Sequence, residues 1–260
     1  MADRQFDIEA YLRRIGMEMP ERADLAYLER LTRAHLMAVP FENMLVYDEH
    51  REPSLEPEDL FEKIVLRKRG GYCFELNKAY YLLLQGLGYE CYPVPVRVIY
   101  HRPEPCGVSH RGTVIVLDGK RYFGDVGYGG MGPKGMISLE TEEVQLIGGE
   151  RFLVRADGNS TVIYNLEDGF KDPVLRLHDI PWLEPDFLTL NRYYSTYHGS
   201  PFVNKRVLYI STPRGWASLA EKVFTVKENG VKTEQILESE EQVADVIRQW
   251  FGLEIPVAAQ

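Results

Sequence analysis

The chain has 260 residues, 45% of them hydrophobic, enough to bury a sizeable core in one large domain or two to three smaller ones. Charged residues make up 27% and the formal net charge is −9. That balance argues against nucleic acid and anionic membrane surfaces as partners, and any anionic ligand must find a local basic patch. The N-terminus MADRQFDIEAYLRR is charged and lacks the apolar stretch of a signal peptide. No apolar run approaches the ~18 residues that span a bilayer. Three cysteines, Cys73, Cys91 and Cys106, form neither a disulfide framework nor a CxxC zinc pair. A cytoplasmic protein without a metal is expected.

The first third reads as helical. Asp7 caps a helix that buries Ile8, Tyr11, Leu12 and Ile15 and stops at Gly16. Asp24 caps a second, with Leu25, Leu28, Leu31 and Leu36 on one face, ending before Pro40. A third runs from about Pro57 to Arg67. A fourth starts near Cys73, carries Leu76, Ala79, Tyr80, Leu83 and Leu87, and is closed by Gly86 and Gly88.

The middle third changes to the period of strands. Runs at 91–100, 108–117, 121–126, 151–156, 161–166 and 173–178 are β-branched and aromatic. Asp118-Gly119 is a hairpin signal. Strands so spaced predict an antiparallel sheet or small barrel. A helix follows at 184–196, then strands near 204–211 and 216–226. A last helix starts at Ser239, with Gln242 in the capping-box position, and ends at Gly252.

The stretch Arg69-Gly-Gly-Tyr-Cys73-Phe-Glu75-Leu-Asn77 carries the chemistry. Two glycines permit a sharp turn, and Cys73 falls in the first turn of a helix. There the positive end of the dipole favours thiolate, and free N–H groups can hold an oxyanion. Arg69 can add positive charge if it points that way. Taken alone, Cys73 reads equally well as a small buried apolar residue. Cys106, in the loop RPEPCG, is a rival nucleophile without a helix terminus, and Cys91 reads as core.

A nucleophilic cysteine needs a base, and the base needs orienting. His110 lies in one strand of the Asp118-Gly119 hairpin and Asp125 ends the other. If the turn has two residues, Leu117 faces Lys120, His110 faces Gly127 and Asp125 faces Gly112. His110 and Asp125 then share a face as diagonal neighbours, about 7–8 Å apart at Cα. A three-residue loop separates them onto opposite faces. A hydrogen-bonded sheet histidine and a strand-end cap remain the alternative readings.

RGGYCFELN, a strand histidine and DVGYG together resemble the arylamine N-acetyltransferases. Val39-Pro-Phe-Glu-Asn43 and Ser200-Pro-Phe-Val-Asn204 match further family segments, so the resemblance covers nearly the whole chain. It implies an α+β fold with a cysteine-protease-like core: a helical bundle carrying the nucleophile (1–84), an antiparallel β-barrel carrying His and Asp (85–190), and an α/β lid (191–260). It implies a Cys73, His110, Asp125 triad that passes acetyl from acetyl-coenzyme A to arylamines, arylhydrazines or N-hydroxyarylamines by a ping-pong route. By position, Phe41, Tyr72, Phe74, Tyr128 and Phe202 line the acceptor pocket. Gly127, Gly129 and Gly130 lie near the pantetheine arm. Glu42, Arg69 and Asn77 support the nucleophile. Lys134, Lys205 and Arg206 are candidates for the coenzyme's phosphates, or solvated charges. The same residue order also suits a hydrolase or transglutaminase, or a non-catalytic module that binds an aromatic ligand.

Overall fold

Side-chain caps set where the first helices begin. Asp7 accepts the Ala10 N–H at 2.9 Å and Asp24 the Tyr27 N–H at 2.8 Å. They open α1 (Ile8–Arg14) and α2 (Leu25–Ala38), each cap contributing about 1 kcal/mol. The computed structural model describes residues 6–130, 132–167 and 171–255. After α2 come β1 (Phe41–Glu42), α3 (Met44–Tyr47) and α4 (Pro57–Leu60). The expected helix at 57–67 is only half α: from Phe61 to Leu66 it widens into a π-helix.

The next helix, α5 (Cys73–Gly86), runs through the middle of the helical core, with Leu76, Ala79, Tyr80 and Leu83 fully buried. Gly86 is its last residue. A Cβ there would lie 2.2 Å from Ile8 Cδ1, so this glycine lets α1 pack close. The left-handed stop comes at Gly88, with φ +86°.

Eight antiparallel strands follow: β2 (Glu90–Val98), β3 (His110–Leu117), β4 (Lys120–Gly124), β5 (Ile137–Ser138), β6 (Gln145–Ile147), β7 (Glu150–Asp157), β8 (Ser160–Asn165) and β9 (Asp172–Leu177). Their spatial order is β5-β4-β3-β2-β9-β8-β7-β6. This sheet curls into a nearly closed barrel around Val94, Val96, Val114, Phe123, Phe152 and Ile163. At the seam between β5 and β6 a side chain replaces the backbone ladder. Gln145 Oε1 accepts the Ser138 N–H at 2.8 Å, and its Nε2 donates to the Ser138 carbonyl at 2.9 Å.

The C-terminal part contains α6 (Glu184–Thr196), α7 (Pro201–Asn204), β10 (Val207–Thr212), β11 (Gly215–Ala220), β12 (Val223–Glu228), β13 (Val231–Ile236) and α8 (Glu240–Val246). The single strand expected at 216–226 is in fact the hairpin β11–β12, turning at Glu221 with φ 56°. β13 escaped notice because all six of its residues are exposed, so its sequence carries no buried-face pattern. The five-stranded sheet begins with β1, from the helical region, paired to β10 through Phe41 and Tyr209. Asn43 strengthens that junction: its Nδ2 donates to the carbonyls of Phe202 (2.8 Å) and Lys205 (2.7 Å), and its Oδ1 accepts the Val207 N–H (2.7 Å). The fold is α+β, as expected.

Candidate active site

The glycine pair before Cys73 serves close approach. A Cβ on Gly70 would lie 2.0 Å from the Pro40 carbonyl oxygen, and one on Gly71 2.9 Å from the Glu75 carboxylate. Glu75 can therefore fold back: its Oε2 accepts the Tyr72 N–H at 3.1 Å, while Lys63 Nζ donates to Oε1 at 2.7 Å. Beside it Glu42, also fully buried, pairs with Arg69 at 3.0 Å and accepts the Met44 N–H at 2.8 Å. Burial pushes both carboxyls up. For Glu42 the charges of Lys63 and Arg69 outweigh burial and hold it below the usual range. For Glu75 burial wins over Lys63, and the neighbouring Glu42 adds to it. Arg69 thus faces Glu42 and Glu49 instead of adding charge at the thiol. Lys63, which the sequence did not single out, is the cation shared by both buried acids. The π-helical turn carries it.

The Asp118-Gly119 hairpin has the two-residue turn, with Leu117 opposite Lys120 and both turn residues at positive φ. The ladder runs only to Thr113 opposite Gly124, however. Asp125 leaves the sheet, and His110 pairs through β2 with Val96. The expected facing pairs, His110 with Gly127 and Asp125 with Gly112, do not form. The two side chains still meet: His110 Nε2 and Asp125 Oδ2 are 2.6 Å apart, both residues being buried. Phe123 fills the space at Gly112, where a Cβ would lie 2.3 Å from its ring.

Asp125 is satisfied on its other side. Its Oδ1 accepts from Asn77 Nδ2 and from the Gly127 N–H, each at 2.9 Å. Asn77 Oδ1 in turn accepts the Val126 N–H at 2.9 Å. Burial opposes ionisation of His110 most strongly. The Asp125 carboxylate, with a smaller contribution from Cys73, reverses that and raises the imidazole to about 10. Burial likewise opposes ionisation of Asp125, and His110, Asn77 and the Gly127 N–H together lower it below the usual carboxylate range. Because Nε2 is engaged by Asp125, Nδ1 is the ring nitrogen left to face Cys73, whose thiol points to the Ser109 carbonyl at 3.9 Å, beside His110. Gly127 has room for no side chain: a Cβ would lie 2.8 Å from both Cys73 Cα and Asn77 Nδ2.

Above the thiol lies a cavity of about 280 Å³. Phe41, Tyr128, Phe202, Gly127, Gly129 and Gly130 line it together with Cys73 and His110. Tyr72 and Phe74 stand one layer behind, Tyr72 edge-on to Phe202 with ring centroids 5.5 Å apart. Phe74 stacks on Tyr194, which does reach the cavity. Tyr194, Ser109 and Arg102 were not legible as site residues, since neither motif nor spacing marks them. Arg206 is committed to Asp48 and Glu240, and Lys134 to the Tyr209 ring and the Gly130 carbonyl. Cys106 lies half-buried with its thiol toward the Val98 carbonyl. His35 hydrogen-bonds Tyr11 at 2.8 Å within the helical core, outside the site. Among the described residues no group of three or more His, Cys, Asp or Glu side chains is arranged to hold a metal.

The profile of the N-acetyltransferase family matches residues 24–259. An arylamine N-acetyltransferase of Mycolicibacterium smegmatis is 30% identical, over 96% of this chain and 92% of its own length. The chain belongs to the arylamine N-acetyltransferase family. The solved structure of the M. smegmatis arylamine N-acetyltransferase superposes with a TM-score of 0.90 at 30% identity, covering 96% of this chain and 93% of that one. The Mycobacterium marinum arylamine N-acetyltransferase in complex with CoA superposes with a TM-score of 0.90 at 27% identity, covering 95% and 92%. The family motifs around Phe41, Cys73, Asp125 and Phe202 thus converge on one cavity in this arylamine N-acetyltransferase fold, although they come from four separate stretches of chain.

Proposed function

We propose that this enzyme transfers acetyl from acetyl-coenzyme A to arylamines, arylhydrazines or N-hydroxyarylamines through an acetyl-Cys73 intermediate. The observation that carries the mechanism is the buried Cys73, His110, Asp125 constellation beneath an aromatic-walled cavity. The Cys73 thiolate, paired with the His110 imidazolium, attacks the thioester carbonyl. The Glu75 N–H donates to the Tyr72 carbonyl at 3.1 Å, which leaves the Cys73 and Phe74 N–H groups at the start of α5 to stabilise the developing oxyanion. The carbon–sulfur bond to the coenzyme breaks, and His110 gives its proton to the departing thiolate. An aryl amine then attacks the acetyl-Cys73 carbonyl. His110 accepts the amine's proton, and the Cys73 thiolate leaves. Asp125 keeps the imidazole oriented and supplies its counter-charge throughout.

Phe41, Tyr128 and Phe202 offer flat faces to an aryl ring, while Gly127, Gly129 and Gly130 border the approach of the pantetheine arm. The helical segment supplies the thiol, the barrel the base and carboxylate, and the C-terminal segment covers them. A cytoplasmic setting suits three free cysteines. No helix among the described residues is long and apolar enough to cross a membrane.

The test is coenzyme A release followed with and without acceptor. We expect release that depends on an aromatic amine, with parallel double-reciprocal lines for donor and acceptor. Release that proceeds equally fast without amine would instead make the protein a thioester hydrolase.

A further inference from the structure

Arg102 is the one Asp, Glu, Lys or Arg among the described residues that line the cavity over Cys73. It is exposed, so its side chain belongs to the rim. A tight turn presents it: the Arg102 N–H donates to the Ile99 carbonyl at 3.1 Å, with His101 at φ 50°. The nearest acid in sequence, Glu104, is held by Arg176 at 2.9 and 3.1 Å. The guanidinium of Arg102 has no hydrogen bond or ion pair among the described residues. Tyr194 lines the same cavity, and its hydroxyl donates to the Val108 carbonyl at 3.2 Å.

An unpaired cation at the mouth of an aromatic cavity is a selective element. A neutral aryl ring gains from it at most a weak cation–π contact. A ring bearing an anion must give up water on entry, which is costly without a partner. It recovers that cost through a charge-assisted, bidentate hydrogen bond to a guanidinium. The overall charge of −9 repels anions, so the local cation matters all the more. With the amine at Cys73 and the ring between Phe202, Tyr128 and Tyr194, the substituent opposite the amine points to the rim.

We propose that Arg102 makes this cavity selective for aromatic amines that carry a carboxylate opposite the amine. This rests on the acetyl-transfer reading. The same guanidinium chemistry also suits a coenzyme phosphate, so the test separates the two sources by half-reaction.

Wild type, Arg102→Met and Arg102→Lys are compared for kcat/KM with 4-aminobenzoate and its neutral isostere 4-aminobenzamide. The expected wild-type preference for the carboxylate is about tenfold. It falls to about one in Arg102→Met and returns in part in Arg102→Lys. A wild-type ratio near one, or a ratio that survives Arg102→Met, overturns the proposal. In the first half-reaction, Cys73 acetylation by acetyl-coenzyme A is compared with that by S-acetyl-N-acetylcysteamine, which has no phosphates. The proposal expects the ratio of these two rates to be the same in Arg102→Met as in wild type. A fall confined to acetyl-coenzyme A, with the 4-aminobenzoate preference intact, assigns Arg102 to the coenzyme and overturns the proposal. If no amine is acetylated, the acetyl-transfer reading fails by itself. Calorimetric binding of the two probes to wild type and Arg102→Met then decides whether Arg102 selects the carboxylate.

Discussion

Asn77 stands one helical turn after Cys73 and donates its Nδ2 to Asp125 Oδ1 at 2.9 Å. Through this bond the helix that carries the thiol holds the carboxylate that orients the imidazole. The same amide also donates to the Arg111 carbonyl, next to His110. One side chain therefore ties all three parts of the site together. In Asn77→Ala we expect kcat/KM to fall about 10- to 100-fold, the usual cost of losing such a supporting partner. Circular dichroism should show the fold retained. Unchanged kinetics would mean that His110 and the Gly127 N–H hold Asp125 without help from Asn77.

The His110–Asp125 pair predicts a pH dependence of stability. His110 is raised from ~6.5 in the unfolded chain to about 10 in the fold. A raised folded value stabilises fully below the unfolded one and loses that contribution as pH climbs toward the folded one. Asp125 is lowered, so its contribution is present above the unfolded value of ~3.9 and is lost as pH falls through the folded one. The difference in unfolding free energy between wild type and Asp125→Asn should therefore be greatest near pH ~5–6.5 and shrink toward pH ~10. Urea titrations across that range measure it. Transfer activity in Asp125→Asn should drop by about four orders of magnitude. A pH-independent difference would show that Asp125 contributes packing and not charge.

Gly127 tests the close approach of the DVGYG loop to the nucleophile. In Gly127→Ala the new methyl must push against Cys73 and Asn77 at 2.8 Å. We expect about 1–3 kcal/mol of destabilisation from overpacking and a far larger loss of transfer, above about 100-fold, because the displaced atoms are the reacting ones. Equal losses in stability and activity, read by thermal melts and initial rates, would argue against this geometry.

A charge cluster ties the start of α6 to the site. Arg111 is fully buried and bonds Glu184 in bidentate fashion at 2.7 and 2.9 Å, and Lys78 adds a contact at 3.1 Å. Burial raises the Glu184 carboxyl, but Arg111 and Lys78 outweigh it and hold the group below the usual range. Glu184→Gln leaves the Arg111 guanidinium buried over Phe187 without its counter-ion. We expect about 2–3 kcal/mol of destabilisation in denaturant titrations, the lower part of the range for breaking a buried pair, since Glu184 is partly exposed. The loss should largely vanish in the double variant Glu184→Met, Arg111→Met. A double variant no more stable than the single one would contradict this account.

Much of the site was readable because its determinants are local. Cys73 announces itself through the Gly70-Gly71 turn and the first helical turn, and the Asp-Gly turn fixes the phase of β3 against β4. A two-residue turn predicts that His110 and Asp125 meet, and they do, but the ladder stops short of them at Thr113 and Gly124. Where a strand ends depends on what packs beyond it, here Asn77 and Cys73. Arg111 with Glu184, Lys63 with Glu75 and Glu42, and Arg102 at the rim join distant segments, and no spacing rule links such pairs. The π-helical turn at Phe61–Leu66 and exposed β13 are illegible for the opposite reason: their sequences look like ordinary helix and loop. Gly86 does end α5, but its packing role is not legible because its partner, Ile8, comes from the other end of the helical region.

The most direct measurement is the mass of the intact protein after incubation with acetyl-coenzyme A and no amine. We expect a gain of one acetyl group, located on Cys73 by peptide mapping, lost in Cys73→Ser and discharged when an aromatic amine is added. No gain in wild type, or a gain that persists in Cys73→Ser, would contradict it.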